Sequence, residues 1–180
     1  MRETIVMNID EYRIASSKDI QELVNLINSA YRPVGSDAGW THESDLVDGE
    51  RINASQLASL LEGEGSTVLL GLSKGEIVAC VSVNKEAGAI YIAMLTVKPS
   101  YQNIGLGKEM LQLAEEYAEN QYESTVFNLF VISERKELFD FYLRRGYKST
   151  DITSDYPANA GVGTPKITGL KLVLLTKELI

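Results

Sequence analysis

Apolar and polar positions change their spacing several times in the first third of the chain. Alternation over residues 12–15 predicts a short strand, and apolar residues at helical spacing predict an amphipathic helix over residues 20–31. Residues 32–51 show no period, which favours a long loop with a helical turn. Residues 53–61 then predict a short helix.

Three strands are expected next, over residues 67–73, 76–85 and 89–97. Lys74-Gly75 and the segment 86–88 separate them, so the pattern predicts an antiparallel meander with short hairpins. The third strand is apolar almost throughout, as is typical of a strand covered on both faces.

The second half of the chain alternates helices with strands. We expect a helix over 105–120, a strand over 125–131, a helix over 135–145, a strand from Tyr147, a loop over 152–165 and a last strand over 171–176. On the first of these helices the predicted water-facing residues are Lys108, Glu109, Gln112, Glu115 and Glu116. The order predicts one α/β domain over residues 1–180, with residues 1–10 as an N-terminal extension. Its central sheet is mixed and mostly antiparallel, with helices on both faces.

Composition narrows the classes of function. The 17 basic and 25 acidic residues give a net charge of −8, which argues against nucleic acid or an anionic membrane as partner and mildly favours a cationic small-molecule acceptor. With one cysteine and one histidine, an intrachain disulfide and the usual zinc sites are excluded, and Cys80 is expected to be a packing residue. The first residues lack the apolar core of a signal peptide, which favours the cytoplasm.

The segment with the clearest chemistry is QNIGLGK, residues 102–108, between a buried strand and an amphipathic helix. Gly105 and Gly107 let the backbone approach a ligand, and the free amides of a helix N-terminus form an anion site. The spacing fits neither a Walker A loop nor the dinucleotide-binding G-x-G-x-x-G pattern. From the glycines alone, a turn that merely starts a helix is an equal alternative.

The longer segment LTVKPSYQNIGLGKEML resembles the main cofactor motif of the GCN5-related N-acetyltransferase (GNAT) superfamily. The resemblance implies the acyl-CoA N-acyltransferase fold and binding of acetyl-coenzyme A (acetyl-CoA). It also implies that the third meander strand separates from the strand after the main helix, and that the pantetheine arm enters there. The implied cofactor-binding residues are Leu95, Thr96, Val97, Gln102, Asn103, Ile104, Gly105, Leu106, Gly107 and Lys108.

A second segment, residues 138–147, resembles a later GNAT motif in which a helical tyrosine precedes a Gly-aromatic pair by four residues. Tyr142 holds that position, and the resemblance implies that its phenol donates a proton to the departing thiolate. Without the motif, Tyr142 would be a core aromatic. Many relatives carry asparagine seven residues earlier; this chain has Arg135, for which we expect a contact with a cofactor phosphate.

The acceptor side is less defined by sequence. Glu43 and Asp45, beside Trp40 and His42, are candidate bases because their loop should border the acceptor, although a solvated acidic loop is the alternative. Tyr31 and Trp40 are candidate substrate-binding aromatics, with a structural role for Trp40 as the alternative.

These observations predict an N-acetyltransferase that moves an acetyl group to a primary amine by direct attack, without a metal. Alternatives are transfer of another acyl group, a hydroxyl acceptor, or a non-catalytic acyl-CoA sensor, because the third strand lacks the carboxylate that relatives often place there. Exposed edge strands in this fold also favour a homodimer.

Overall fold

The computed structural model describes residues 7–34, 39–40 and 42–180. In that part of the chain the strands are β1 (Glu11–Ile14), β2 (Val47–Asp48), β3 (Ser66–Ser73), β4 (Glu76–Glu86), β5 (Ala89–Val97), β6 (Val126–Ile132), β7 (Lys148–Asp155), β8 (Thr164–Pro165) and β9 (Lys171–Glu178). The helices are α1 (Ile20–Tyr31), α2 (Ala54–Glu62), α3 (Leu106–Tyr122) and α4 (Lys136–Leu143). None of these four helices combines the length and apolar character that a membrane crossing requires.

Seven strands form one sheet in the order β1-β3-β4-β5-β6-β9-β7. Neighbours are antiparallel except β5 and β6, which α3 connects as a parallel pair. Strands β2 and β8 form a separate two-stranded ladder. The structure therefore confirms the predicted mixed, mostly antiparallel α/β fold.

Both faces of the sheet are covered by apolar side chains. Helices α1 and α2 pack Leu23, Ile27 and Leu57 onto one face, where Leu70 lies fully buried. Helices α3 and α4 cover the other face with a cluster that includes Met110. Burial of each such side chain stabilises the fold by roughly 1.5–3 kcal/mol, so the central strands are held from both sides.

An ion pair fixes the junction between β1 and α1. Both terminal nitrogens of Arg13 donate to the carboxylate of Asp19 at 2.8 Å, and the Ser16 amide donates to the same carboxylate at 2.8 Å. These hydrogen bonds, that from Arg13 foremost, lower the pKa of Asp19 to about 2.

The structure adds detail at the N-terminus and corrects one expected loop boundary. Residues 9 and 10 belong to the fold: Ile9 is buried in the core, and the Asp10 amide donates to the Leu72 carbonyl. The expected loop over 152–165 begins later, because β7 continues to Asp155 against β9. Residues 1–6 of the expected extension, and residues 35–38 and 41 of the expected long loop, lie outside the described residues.

Glu115, expected to face water, is buried on α3. Its carboxylate accepts from the Tyr147 hydroxyl at 2.9 Å and from Lys177 Nζ at 2.6 Å. Lys177 lies on β9, so this network joins the main helix to the far half of the sheet. Burial and the adjacent carboxylate raise the pKa of Tyr147, which keeps its hydroxyl a donor.

Candidate active site

The sheet opens between β5 and β6. Their register pairs Ile90 with Phe127 and Tyr91 with Asn128 and does not continue along these fully described strands. On the other side of β5, the register with β4 shifts beside Met94, whose φ is 50°. This bulge turns β5 away from β6, which is the separation that the family resemblance implies.

Hydrogen bonds hold the bulge in place. The Met94 carbonyl accepts from Thr96 Oγ1 at 2.9 Å, and the Leu95 carbonyl accepts from the Tyr31 hydroxyl at 2.8 Å. Burial is the main cause that raises the pKa of Tyr31 to about 12, so its hydroxyl remains protonated. Tyr31 therefore sets the position of Leu95 in addition to lining the site.

A cavity of about 540 Å³ lies at this opening. It brings together most of the predicted cofactor residues with the predicted proton donor, and its lining comprises Tyr31, Trp40, Leu95, Val97, Gln102, Asn103, Gly105, Gly107, Lys108, Arg135, Glu137, Leu138, Phe141, Tyr142, Arg144 and Arg145. Three predicted cofactor residues do not line it. Thr96 is fully buried, Ile104 is half-exposed to solvent, and Leu106 packs in the core.

The loop before α3 has the geometry of an anion site. Asn103 and Gly105 have φ values of 65° and 94°, a left-handed conformation that explains the glycine at 105. The amides of Leu106, Gly107 and Lys108 have no acceptor within the helix, because the first helical hydrogen bond runs from the Glu109 amide to the Gly105 carbonyl. Those amides lie at the cavity wall beside Gly107 and Lys108.

Gln102 uses its side chain to hold other parts of the protein together. Its side-chain amide donates to the Val97 carbonyl at 2.9 Å, and its oxygen accepts from the Trp40 amide at 3.1 Å. A Cβ atom at Gly39 would overlap the Gln102 side chain. These contacts fix the loop before α3 against the segment around Trp40.

Cations outnumber anions around this cavity. Lys108, Arg135, Arg144 and Arg145 line it together with a single carboxylate among the described residues, that of Glu137. Sequence analysis missed Arg144 and Arg145, although both lie inside the second motif, because they look like ordinary charges at the end of a helix. Arg145 donates to the Phe141 carbonyl at 2.6 Å and lies 3.5 Å from the centre of that ring.

Tyr142 lies where this cavity meets a second one. Its ring is buried edge-on against Phe141 and Tyr147, with centroids 5.1 and 5.6 Å away. Burial raises the pKa of Tyr142, and the opposing effects of Arg135 and Arg145 are smaller. The hydroxyl therefore stays protonated at neutral pH and is a donor without a described acceptor in the protein.

The second cavity, about 280 Å³, lies on the other side of Tyr142. Its walls are largely apolar and come from β5, β6 and the segment after β7, including Tyr91, Met94, Leu95, Leu129, Phe130, Pro157 and Val162. Tyr91 and Phe130 stack with their centroids 6.1 Å apart. The polar residues on its wall are Tyr31, Glu43, Arg51, Arg135, Tyr142 and Tyr156.

Glu43 is the predicted base that reaches this second cavity. Its carboxylate is buried and lies 3.5 Å from the Arg32 guanidinium. Arg32 also donates to the Gly49 and Val162 carbonyls at 2.7 and 2.9 Å, so it is fixed independently of Glu43. Asp45 is exposed on a third cavity that it shares with His42.

Trp40 lies at the first cavity. It lines the first cavity and packs on Phe141 with centroids 5.7 Å apart, and it does not line the second cavity. Aromatic side chains of Tyr31, Tyr91 and Phe130 line the second cavity. Cys80, as expected, is a buried residue of a central strand, and burial raises the pKa of its thiol to about 12.

The ligands for a metal site are not assembled in the described part of the chain. Across residues 7–34, 39–40 and 42–180 no three His, Cys, Asp or Glu side chains lie together in a way that would hold an ion.

Comparison with known proteins gives a family and a fold. The sequence pattern of the family described as Acetyltransferase (GNAT) domain matches residues 40–159. A sequence comparison with curated proteins gives no match. Among solved structures, ribosomal-protein-alanine N-acetyltransferase from Brucella melitensis is similar, with a TM-score of 0.69, 16% identity, and coverage of 94% of this chain and 99% of the other. PaiA N-acetyltransferase from Thermoplasma acidophilum, solved in complex with coenzyme A, is also similar. Its TM-score is 0.65 and its identity 16%, and the match covers 94% of this chain and 98% of the other.

Proposed function

Because the chain belongs to the GNAT acetyltransferase family, we propose that it transfers the acetyl group of acetyl-CoA to a primary amine by direct attack. One observation carries the proposal: the opening between β5 and β6 joins a cationic helix N-terminus at one end and a buried, protonated Tyr142 at the other. A neighbour in complex with coenzyme A supports the choice of donor. The proposal includes the cytoplasmic location expected from sequence.

The residues present fit a donor with several phosphates. In the proposal, the amides from Asn103 to Lys108 and the side chains of Lys108 and Arg135 hold the pyrophosphate, and Arg144 and Arg145 add to the same positive rim. The edge of β5 from Leu95 to Val97 offers backbone groups to the pantetheine arm, as a sheet edge does to an added strand.

Each remaining step has a residue to perform it. Bound acetyl-CoA supplies a thioester, whose carbonyl carbon bonds to the amine nitrogen as its C–S bond breaks and the electron pair goes to sulfur. Tyr142 donates its phenolic proton to that sulfur. Glu43, on the acceptor-side cavity, accepts the proton that the ammonium must lose before its nitrogen can attack. The second proton leaves the nitrogen as the amide forms and restores the Tyr142 phenol. Backbone amides at the Met94–Leu95 bulge polarise the carbonyl.

Thermal unfolding with added acetyl-CoA tests the donor site. At a hundredfold excess over the dissociation constant, binding stabilises a protein by about 2.7 kcal/mol, or roughly 5–10 °C in Tm for a chain of this size. The shift should be present in the wild type and in the control Lys148→Glu, which makes the same charge change on an exposed strand. It should be much smaller in Lys108→Glu. No shift in the wild type at millimolar acetyl-CoA would overturn the donor assignment.

Release of free thiol in the presence of a panel of primary amines tests the transfer. We expect Tyr142→Phe to lower kcat by roughly 10²- to 10⁴-fold, because the thiolate then leaves without a proton donor. Acetyl-CoA affinity should stay within about threefold of the wild-type value, since the phenyl ring keeps its packing. Binding of acetyl-CoA without turnover of any amine would instead favour the non-catalytic sensor.

A further inference from the structure

The second cavity carries positive charge in a protein that is acidic as a whole. Arg51 and Arg135 both line it, and the carboxylate facing it within the described chain belongs to Glu43. That carboxylate is paired with Arg32, and both side chains are nearly inaccessible, 5% and 6% exposed. The Glu43–Arg32 pair is neutral together, so the two remaining guanidinium groups set the charge of the cavity.

Arg51 is held in position by α1. The carbonyl oxygen of the Asn28 side chain accepts from the Arg51 amide at 2.8 Å and from the Ile52 amide at 3.3 Å. The Asn28 side-chain amide donates back to the Ile52 carbonyl at 2.9 Å. The backbone from which the Arg51 side chain leaves is therefore fixed on both sides.

The guanidinium of Arg51 has no anionic partner in the described protein. Its central carbon lies 5.9 Å from the centre of the Tyr31 ring, and no described side chain forms a salt bridge with it. Arg135 lines the first and second cavities and is shared between them, whereas Arg51 lines the second alone. Of these two cations, only Arg51 contributes its charge to the second cavity alone.

On the basis of the function proposed above, we propose that Arg51 binds a carboxylate of the acceptor, and that the acceptor is a small amino acid-like amine with an apolar body. A guanidinium presents paired N–H groups that match a carboxylate. Apolar walls from Tyr91, Phe130 and Met94 suit an aliphatic or aromatic side chain. A polyamine would meet the Arg51 guanidinium here, which has no described anionic partner, and this disfavours the cationic acceptor expected from the net charge of the whole chain.

Matched acceptors that differ by one group provide the test. Phenylalanine and leucine are compared with phenethylamine and isoamylamine, which lack the carboxylate, and with spermidine. For the wild type we expect kcat/KM for each amino acid to exceed that of its carboxylate-free amine by roughly 10- to 100-fold, the range for a charge-assisted hydrogen bond.

Arg51→Gln separates recognition from catalysis. It should raise KM for the amino acids by a similar factor, leave kcat/KM for the carboxylate-free amines within about twofold, and leave acetyl-CoA affinity unchanged. Arg51→Lys keeps the charge and loses the paired N–H geometry. Its KM for the amino acids should therefore lie between the values of the wild type and of Arg51→Gln. If Arg51→Gln does not fold, Arg51→Lys alone carries the comparison.

A binding measurement gives a readout apart from turnover. With coenzyme A present, leucine should raise the Tm of the wild type and not that of Arg51→Gln. Efficient transfer to spermidine or phenethylamine with no effect of Arg51→Gln would overturn the carboxylate inference and leave the acetyltransferase proposal intact. Acetyl-CoA binding with no transfer to any amine would overturn the proposed function itself, and the acceptor inference with it.

Discussion

At the scale of single residues, Asp19 shows how one ionised side chain supports two elements. Its carboxylate accepts from Arg13 on the last part of β1 and from the Ser16 amide just before α1. Its pKa, about 2 against an ordinary value of 3.8, means that the folded protein favours the ionised form. The difference corresponds to roughly 2 kcal/mol of stability.

The sign of this effect gives a pH dependence. Because the folded-state pKa of Asp19 is lower than the unfolded one, its contribution is fully present above about pH 5 and is lost as the pH falls toward 2. Asp19→Asn should lower the free energy of unfolding by roughly 1–2 kcal/mol at pH 7, with the deficit narrowing between pH 5 and pH 3 in urea titrations. Asp155→Asn, at an exposed ion pair with Lys171, should change little at either pH.

Residues with a motif were predictable, and residues that depend on tertiary contacts were not. Tyr142 and Gly105 stand in recognisable patterns, and the structure brings both to the same cavity. Arg51 stands in a segment without a period, and its place at the second cavity depends on Asn28 from a different element. Glu115 has a water-facing pattern within its own helix, but Lys177 and Tyr147 arrive from elsewhere in the chain and enclose it.

At the scale of elements, the proposed function gives the N-terminus of α3 a binding task in addition to its structural one. Gly105 caps it with a left-handed φ of 94°, which only glycine adopts without strain. Gly107 has no such requirement: a Cβ atom there would lie 3.5 Å from Phe141, an ordinary contact. The fold therefore does not require glycine at position 107, and the proposed function explains it by space for a ligand.

Gly107→Ala should affect stability and binding in opposite directions. We expect the free energy of unfolding without ligand to rise by about 0.4–1 kcal/mol, because alanine favours the helix. Affinity for acetyl-CoA should fall by roughly tenfold, because the methyl group occupies cavity space beside the first amides of α3. Urea denaturation and calorimetric titration measure the two effects.

Gly105→Ala provides the comparison for the stability part of that experiment. It should destabilise the free protein by about 1 kcal/mol, since the cap requires a positive φ. Unchanged affinity in Gly107→Ala would contradict the assignment of the first turn of α3 to the pyrophosphate.

Element boundaries followed the sequence where periodicity was strong. The meander and α3 agree with prediction to within two residues, because alternation and amphipathic spacing reflect the faces that these elements bury. The sequence-based prediction ends β7 too early, at residue 152, because the residues of this strand are mostly polar and exposed. Pairing with β9, and not burial, keeps the strand extended to Asp155. The length of β7 depends on its pairing with β9, and the local sequence of β7 carries no information about that pairing.

At the scale of the whole molecule, charge is distributed unevenly. The chain carries a net charge of −8, yet Lys108, Arg135, Arg144 and Arg145 line one cavity with Glu137 as the opposing described carboxylate. The net charge of the chain therefore predicts the wrong sign for the charge of the first cavity. An acidic exterior with a basic cleft directs polyanions to a single place on the molecule.

The salt dependence of binding follows from this distribution. Mobile ions screen the basic cluster formed by Lys108, Arg135, Arg144 and Arg145. The dissociation constant for acetyl-CoA should therefore rise by roughly three- to tenfold between 20 and 500 mM NaCl. S-acetylpantetheine has the same arm without phosphates, so its weaker binding should be nearly independent of salt. Equal salt dependence for both ligands would mean that the basic cluster does not contact the phosphates.

The short ladder between β5 and β6 also affects how the protein exchanges hydrogen with its solvent. Peptide groups of residues 92–97 that face away from β4 lack a partner strand across the opening. In deuterated water their amides should exchange within seconds to minutes in the free enzyme, while those directed at β4 persist far longer. A ligand seated in the opening would slow that fast set selectively. Mass spectrometry of peptides from β5 would then report occupancy of the cleft directly, without a chromophore, a coupled assay or knowledge of the acceptor.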